Sequence, residues 1–169
     1  IEGAGYTLVH GNHDAWTREA LYAETQLVRS HAGRSVVLVH GDAHDPVLGG
    51  APRVSHSATW FTGRLRWAGL RWPAEQLEEQ DVQIKARRFQ GADGPYAAGA
   101  RQLGVAHDAQ LVVMGHTHVP TLVDTGAAVL ANTGTCSRRR FMGVSIDLTA
   151  GHVSLLGEKA RVVRTRAFG

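Results

Sequence analysis

The chain contains little cysteine and no long apolar run. Cys136 is its only cysteine, which excludes an internal disulfide and is compatible with a reducing compartment. No apolar segment approaches the roughly 18–20 residues that a membrane-spanning helix needs. We therefore expect a cytoplasmic protein without a transmembrane segment.

Lysine is also scarce, because Lys85 and Lys159 are the only two lysines among 18 basic residues. Arginine binds phosphate in a bidentate manner, but a genome biased toward Ala, Gly and Arg codons gives the same composition, and we favour that interpretation. At 169 residues and 43% hydrophobic content, the chain can bury a core. The composition excludes disorder and predicts a single domain over residues 1–169.

Clusters of His, Asn and Asp follow short strand-like runs at three places. They are Gly-Asn-His-Asp at residues 11–14, His-Gly-Asp at 40–42 and Gly-His-Thr-His at 115–118. Loops at strand ends carry much of protein chemistry. Imidazole and oxygen donors that converge from separate segments suit a transition-metal centre, so the clusters indicate metal-assisted chemistry.

The first forty residues predict a strand, a helix and a second strand. Tyr6–His10 is rich in β-forming residues and stops at a turn signal. Apolar residues from Trp16 to Val28 fall at helical spacing, with Gly33 as the stop. Ser35–Val39 is continuously apolar and predicts a buried strand. This order implies a βαβ unit.

The middle of the chain predicts a helical insertion over residues 45–104, with helices at 74–90 and 96–103. Within it, three tryptophans alternate with arginines: Trp60, Trp67 and Trp72. Such a pattern suits a lipid, a membrane face or a nucleic acid. Amphipathic helices are common, so we favour the interpretation that these tryptophans form the packing face of an insertion helix.

After His118, apolar residues again recur at every second position, as in a strand. Strands are predicted at residues 121–124, 127–132, 141–147 and 152–156, with 161–165 as either a last strand or the start of a linker.

In this order, the three clusters resemble the motifs of the calcineurin-like metallophosphoesterases. Asn132-Thr133-Gly134 is also similar to a late strand-to-loop segment of that family, so the resemblance covers essentially the whole chain. It implies an α/β (α+β) fold, a β-sandwich flanked by helices, with a two-metal centre between the sheets and residues 45–104 as a helical cap.

The resemblance also implies a set of ligands. Asn12, His40 and His116 match three ligands of the second metal, and His118 matches a ligand of the first. The cofactors are then two divalent metal ions, for which we expect manganese; iron, zinc and nickel accept the same donors. Two such ions stabilise the attacking and leaving groups of an in-line displacement.

Catalytic and substrate-binding roles follow from the same resemblance. His13 matches the family histidine that contacts the phosphate and is proposed as general acid, and Asp14 is placed to orient it. Asp42, at the end of the His-Gly-Asp cluster, and His44, two residues further on, are predicted to touch the substrate, with contact to the loop alone as the alternative.

The family's Asp-x-His and Gly-Asp-x-x-Asp segments, which supply the remaining ligands and the bridging carboxylate, find no match before Gly11. Residues 41–45 contain both patterns in overlap, but five residues cannot serve two strands, so we interpret this match as a decoy. We expect an N-terminal truncation that removes the first strands and leaves this fragment inactive by itself.

The predicted function is a metal-dependent phosphoesterase acting on a phosphomonoester, a phosphodiester or a pyrophosphate. The alternative is a truncated, non-catalytic metal-binding or scaffold domain. The insertion is similar in length and placement to that of the UDP-2,3-diacylglucosamine hydrolases, although these usually carry Arg where this chain has His13. That subfamily implies a lipid-linked substrate and peripheral contact with the inner membrane face through the cap. Nucleic acid is not the expected partner.

Overall fold

A computed structural model describes residues 7–11, 24–46, 52–89, 91–136 and 140–169. The described strands are β1 (Gln26–His31), β2 (Arg34–Val39), β3 (Leu111–Met114), β4 (Thr121–Asp124), β5 (Val129–Asn132), β6 (Gly143–Asp147), β7 (His152–Leu156) and β8 (Val162–Ala167). The described helices are α1 (Pro52–Trp67), α2 (Arg71–Phe89) and α3 (Pro95–His107), with short 3-10 turns at Asp42–His44 and Glu158–Ala160.

The strands form two sheets. The larger sheet has the order β1-β2-β3-β5-β4, in which β2, β3 and β5 are parallel and the outer strands β1 and β4 are antiparallel to their neighbours. The smaller sheet is an antiparallel meander of β6, β7 and β8. Parallel neighbours end at the same edge of a sheet, so the segments that follow β2 and β3 lie side by side.

Alternation along the central strands builds two apolar layers. One face of the larger sheet, with Val36, Leu111 and Val113, packs with Val153 and Leu155 of the smaller sheet. The opposite face, which includes Val37 and Val112, packs against Tyr96 and Ala100 of α3. Both faces of β3 are therefore buried, as a continuous apolar run requires. The predicted α/β class, a β-sandwich with helices, is confirmed.

The three helices divide into two groups. Helix α3 begins at Pro95, is preceded by Gly94 in an extended conformation, and packs its small residues on the larger sheet. Helices α1 and α2 pack mainly on each other. No helix in the described ranges is long and apolar enough to cross a membrane. The division of the chain into one domain with a cap at 45–104 stays a prediction.

The predicted helix up to Val28 is wrong at its carboxyl end, because residues 26–31 form strand β1. β1 and β2 make an antiparallel hairpin that pairs His31 with Arg34. Most of the helix of the predicted βαβ unit lies outside the described residues. The two residues of the turn have positive φ, 52° at Ala32 and 75° at Gly33. Such φ values suit the two-residue hairpin turn. Gly33 therefore closes a hairpin instead of stopping a helix.

The other predicted elements fare differently. Of the predicted first strand, the described residues form an isolated parallel bridge between Val9 and Glu24. The helices predicted at 74–90 and 96–103 and the later strands are confirmed within a few residues, and residues 162–167 are a strand.

The interpretation of the tryptophans as a packing face is wrong. Trp60 is 62% exposed, Trp67 83% and Trp72 70%. Their apolar rings lie on the surface of the α1–α2 pair, so burial does not explain the spacing of these tryptophans.

Candidate metal centre

The carboxyl ends of β2 and β3 bring two sequence motifs together. His40 directly follows β2, and Gly115 and His116 follow β3, its parallel neighbour. The backbone amides of Gly115 and His116 both donate to the carbonyl oxygen of His40, each at 3.0 Å. The position of His116 relative to His40 is therefore fixed by the backbone.

The two imidazole rings meet edge to face at this edge of the sheet. Their centroids lie 5.0 Å apart at an interplanar angle of 67°. The side chain of His116 is 6% exposed, and that of His40 is 22% exposed. The centroid of the His116 ring also lies 6.5 Å from that of Tyr96 in α3. The pair is thus partly shielded from water by the helix that covers the sheet.

Each imidazole has a carboxylate beside one nitrogen. Asp45 Oδ2 lies 2.8 Å from His116 Nε2, and the Asp45 side chain is only 1% exposed. Asp42 Oδ1 lies 3.1 Å from His40 Nδ1, without the alignment of a hydrogen bond. A carboxylate on one nitrogen of a metal-binding histidine orients the ring and makes the other nitrogen a better ligand. Of the two, the Asp45 carboxylate is placed to orient its ring, that of His116.

Asp45 is the functional candidate that sequence reasoning missed. It falls in the 41–45 pattern interpreted as a decoy, and no metal-ligand role was predicted for it. The 3-10 turn Asp42–His44 ends at Asp45, whose amide donates to the Asp42 carbonyl at 3.0 Å. The turn carries Asp45 back beneath His116. The Gly-Asp-x-x-Asp spacing was the signal that could have found it.

Gly11 connects the first motif to this pair. A methyl group built on Gly11 would lie 2.6 Å from His40 Cδ2 and 2.7 Å from Nε2. The backbone of Gly11 therefore packs directly on the His40 ring, where a side chain has no room. Asn12, His13 and Asp14 lie outside the described residues, so their predicted roles as ligand, general acid and orienting group stay predictions.

His118 differs from His40 and His116 in its solvent exposure. It is exposed, with φ of 61°, two residues beyond the buried His116. Within the described ranges, no three His, Cys, Asp or Glu side chains form a group that could hold a metal ion. The described part of the centre is thus a pair of imidazoles, and the ligand role of His118 stays a prediction.

His44 lines a groove between the 3-10 turn and α3. The groove has a volume of about 320 Å³ and is also lined by Asp45, Pro46 and Gly99. Burial lowers the pKa of His44 below its ordinary value of 6.5, while nearby Asp42 acts in the opposite direction. A histidine that is neutral at pH 7 offers hydrogen bonds instead of a positive charge. Substrate contact by Asp42 and His44 stays a prediction.

Comparison with known proteins gives likeness in structure alone. No protein-family model and no curated protein matches the sequence. Similar solved structures include a predicted phosphoesterase from Streptococcus pneumoniae, at 14% identity and a TM-score of 0.48, with 94% of this chain and 68% of that chain covered. They also include Vacuolar Protein Sorting 29 from Cryptosporidium parvum, at 16% identity and 0.46, with 96% and 67% covered.

The same protein from Entamoeba histolytica is similar at 15% identity and a TM-score of 0.44, with 96% of this chain and 69% of that chain covered. The phosphoesterase and the sorting proteins have the calcineurin-like metallophosphoesterase fold. Likeness at this level carries no information on activity or ligands, which depend on the side chains at the strand ends.

Proposed function

We propose that the chain carries the metal centre of a metal-dependent phosphoesterase. The observation that supports it best is the pairing of His40 with His116, 5.0 Å apart at the ends of two parallel strands. His116 shares a hydrogen bond with the Asp45 carboxylate, a partnership that metal-binding imidazoles commonly have, and the Asp42 carboxylate lies 3.1 Å from His40 Nδ1. In open α/β sheets, the carboxyl ends of the strands are also where ligands bind.

The imidazole and amide donors of the predicted site fit divalent transition metals. Imidazole nitrogens suit manganese, iron, zinc and nickel, and the proposed holders are Asn12, His40, His116 and His118. When bound, such ions act as Lewis acids and generate a nucleophile at neutral pH. The described residues supply two of these donors in contact, and the remainder of the ligand set is part of the proposal.

The protein's own groups would prepare this chemistry. Asp45 would accept a hydrogen bond from His116 Nε2 and so orient the ring. Tyr96, which is 1% exposed, contributes to the burial around the ring. His13 would protonate the leaving group, with Asp14 as its orienting partner, and the groove beside His44 offers space for the rest of a phosphoester.

Metal content and hydrolysis of the full gene product test this proposal. We expect bound divalent metal by elemental analysis and manganese-stimulated hydrolysis of bis-p-nitrophenyl phosphate. His116→Ala should lower hydrolysis at least about a hundredfold, because a ligand is lost. His152→Ala, at an exposed histidine of β7, is the matched control and should retain wild-type activity. Absence of both metal and hydrolysis in the full product would contradict the proposal.

A non-catalytic metal-binding or scaffold domain is the second candidate. It is favoured by the fact that, of the proposed ligands, the described residues bring His40 and His116 alone into ring contact, and that these residues contain no group of three metal-binding side chains. A full gene product that binds metal through His116 but hydrolyses no phosphoester would support this candidate over the enzyme.

The substrate class is a further part of the proposal. The long α1–α2 pair lies in the connection between β2 and β3. The candidate centre lies at the carboxyl ends of these two strands. A bulky substrate such as a lipid-linked UDP-sugar pyrophosphate fits this placement. Comparison of hydrolysis rates for that substrate and for bis-p-nitrophenyl phosphate measures the preference directly, and an equal or lower rate on the lipid-linked compound would remove this subclass.

A further inference from the structure

One face of helix α3 lines the groove beside His44. The residues that α3 contributes recur at helical spacing and so share a face: Pro95, Ala98, Gly99 and Gln102. The opposite wall is formed by residues 43–46, at and after the 3-10 turn. We call this space, which has a volume of about 320 Å³, the α3 groove.

Asp45 connects the α3 groove to the candidate centre. It lines the groove, and its Oδ2 lies 2.8 Å from His116 Nε2. The two walls of the groove meet at Gly99, where a built methyl group would lie 2.4 Å from His44 Nδ1. A substrate that reacts at the histidine pair can therefore place its neighbouring group in the α3 groove.

The lining of the α3 groove does not suit an anion. No lysine or arginine occurs among the described residues that line it, and Asp45 adds a carboxylate. Pro95 is the first residue of α3, and proline has no N–H to donate to a phosphate oxygen. Proteins commonly bind phosphate through basic side chains and backbone N–H groups. We therefore expect the phosphate of a substrate to lie outside this groove.

An uncharged polar group is a better partner for this lining. Pro46 and Ala98 are apolar, whereas His44 and Gln102 have side chains that form hydrogen bonds. Gln102 is exposed, and its amide can both donate and accept. Pockets for small molecules commonly have volumes of roughly 300–1,000 Å³ and combine apolar walls with few polar groups. The α3 groove is at the lower end of this range, so it has room for one group of nucleoside size.

We propose that the α3 groove binds an uncharged organic group of the phosphoester substrate, of about nucleoside size. Ala98 would limit the size of this group, because any larger side chain at that position occupies the groove. The Gln102 amide would form a hydrogen bond with its polar edge. The inference rests on the proposed function, since it assigns the phosphate to the metal centre and the organic group to the groove.

Two other occupants fit less well. A second phosphate would lie beside the Asp45 carboxylate without a basic side chain from the described lining. An acyl chain would leave the polar groups of His44 and Gln102 without partners, and unpaired polar groups cost binding free energy when water is excluded. An uncharged group that forms hydrogen bonds avoids both costs.

Two diesters with the same leaving group test the proposal. Thymidine 5′-(4-nitrophenyl phosphate) carries a nucleoside, and methyl 4-nitrophenyl phosphate carries a methyl group in its place. We expect the full gene product with manganese to hydrolyse the thymidine ester with a kcat/KM at least about tenfold above that of the methyl ester. Equal values, or a higher value for the methyl ester, would overturn the groove assignment and leave the phosphoesterase proposal standing.

Variants of α3 assign this preference to the groove. Ala98→Leu should lower the preference for the thymidine ester at least about tenfold, because the added side chain fills the space. Gln102→Leu should lower it about threefold to tenfold, the effect of one hydrogen bond. Ala106→Leu, at an exposed position of α3 outside the groove, is the matched control and should keep the wild-type preference. A wild-type preference in both groove variants would overturn the proposal.

Binding of thymidine alone separates the groove from the chemistry. Saturation-transfer NMR on the full gene product without added metal should detect bound thymidine, and Ala98→Leu should abolish the signal. If neither ester is hydrolysed, the proposed function fails, and thymidine binding that depends on Ala98 would still support the groove as a site for an uncharged group. Absence of thymidine binding, or its displacement by inorganic phosphate in the metal-free protein, would overturn the groove assignment.

Discussion

At the scale of single residues, the contact between Asp45 and His116 does most to define the candidate centre. The two side chains are 1% and 6% exposed, and 2.8 Å separates the carboxylate oxygen from the ring nitrogen. A buried polar group that loses its partner keeps the desolvation cost without the compensating bond. Removal of Asp45 is therefore expected to affect stability as well as the orientation of the ring.

Asp45→Ala should lower the free energy of unfolding by about 1–3 kcal/mol, because His116 is left with an unsatisfied nitrogen in a dry site. Urea unfolding of the purified protein measures this change. Asp93→Ala, at an exposed aspartate in the turn before α3, is the matched control and should change stability by less than about 0.5 kcal/mol. Equal stability of the two variants would contradict a buried partnership.

The motifs predicted part of this site and missed another part for a physical reason. His40 and His116 were predicted from strand-end motifs, and the structure places their rings in contact. Asp45 was not predicted, because its bond to His116 joins residues 71 positions apart. A local pattern cannot show which distant side chain its carboxylate meets; only the parallel pairing of β2 with β3 brings the two together.

At the scale of elements, helices α1 and α3 contain glycines in opposite surroundings. A methyl group built on Gly63 of α1 meets nothing within 4 Å. One built on Gly99 of α3 lies 2.4 Å from His44 Nδ1. Helix propensity alone favours alanine at both positions, so the difference between them isolates the packing of α3 against the 3-10 turn.

Gly63→Ala should raise the free energy of unfolding by about 0.5–1 kcal/mol, since alanine loses less backbone entropy in a helix. Gly99→Ala should lower it by about 1–3 kcal/mol, because the His44 ring has to move. Thermal or urea unfolding of both variants measures the two signs. Stabilisation by both substitutions would mean that His44 does not pack on α3.

Secondary structure was predicted correctly where the spacing of apolar residues was compatible with only one type of element. The buried run of β2 was predicted from continuous apolar sequence, and the strand-like run before Gly115 forms β3. The segment 26–31 was misassigned because Leu27 and Val28 also fit helical spacing, and the hairpin depends on positive φ at Ala32, a residue that seldom adopts it. The tryptophans were misassigned because apolar character predicts burial only when a partner surface exists.

At the scale of the whole molecule, the half-buried His44 makes stability depend on pH. Its folded-state pKa lies below 6.5 because burial disfavours the charged ring. The unfolded chain therefore binds the proton first as the pH falls, and the free energy of unfolding declines from about pH 6.5 down to the folded-state pKa, below which the loss is complete.

The variant His44→Gln should show a smaller decline in unfolding free energy over this range than the wild type. Urea unfolding at about pH 8 measures the packing cost of the substitution, and the same experiment at about pH 5 adds the effect of the charge. An identical difference between the two proteins at both pH values would show that the His44 ring titrates alike in the folded and unfolded chains.

The pairing of β2 with β3 sets when the histidine pair can exist during synthesis. Val36 pairs with Leu111, and His40 meets His116 only after the long intervening segment has left the ribosome. At roughly 5–20 residues per second, that delay is several seconds. A nascent chain therefore carries His40 without its neighbour for that time, and the proposed metal site at this edge cannot form before β3 arrives.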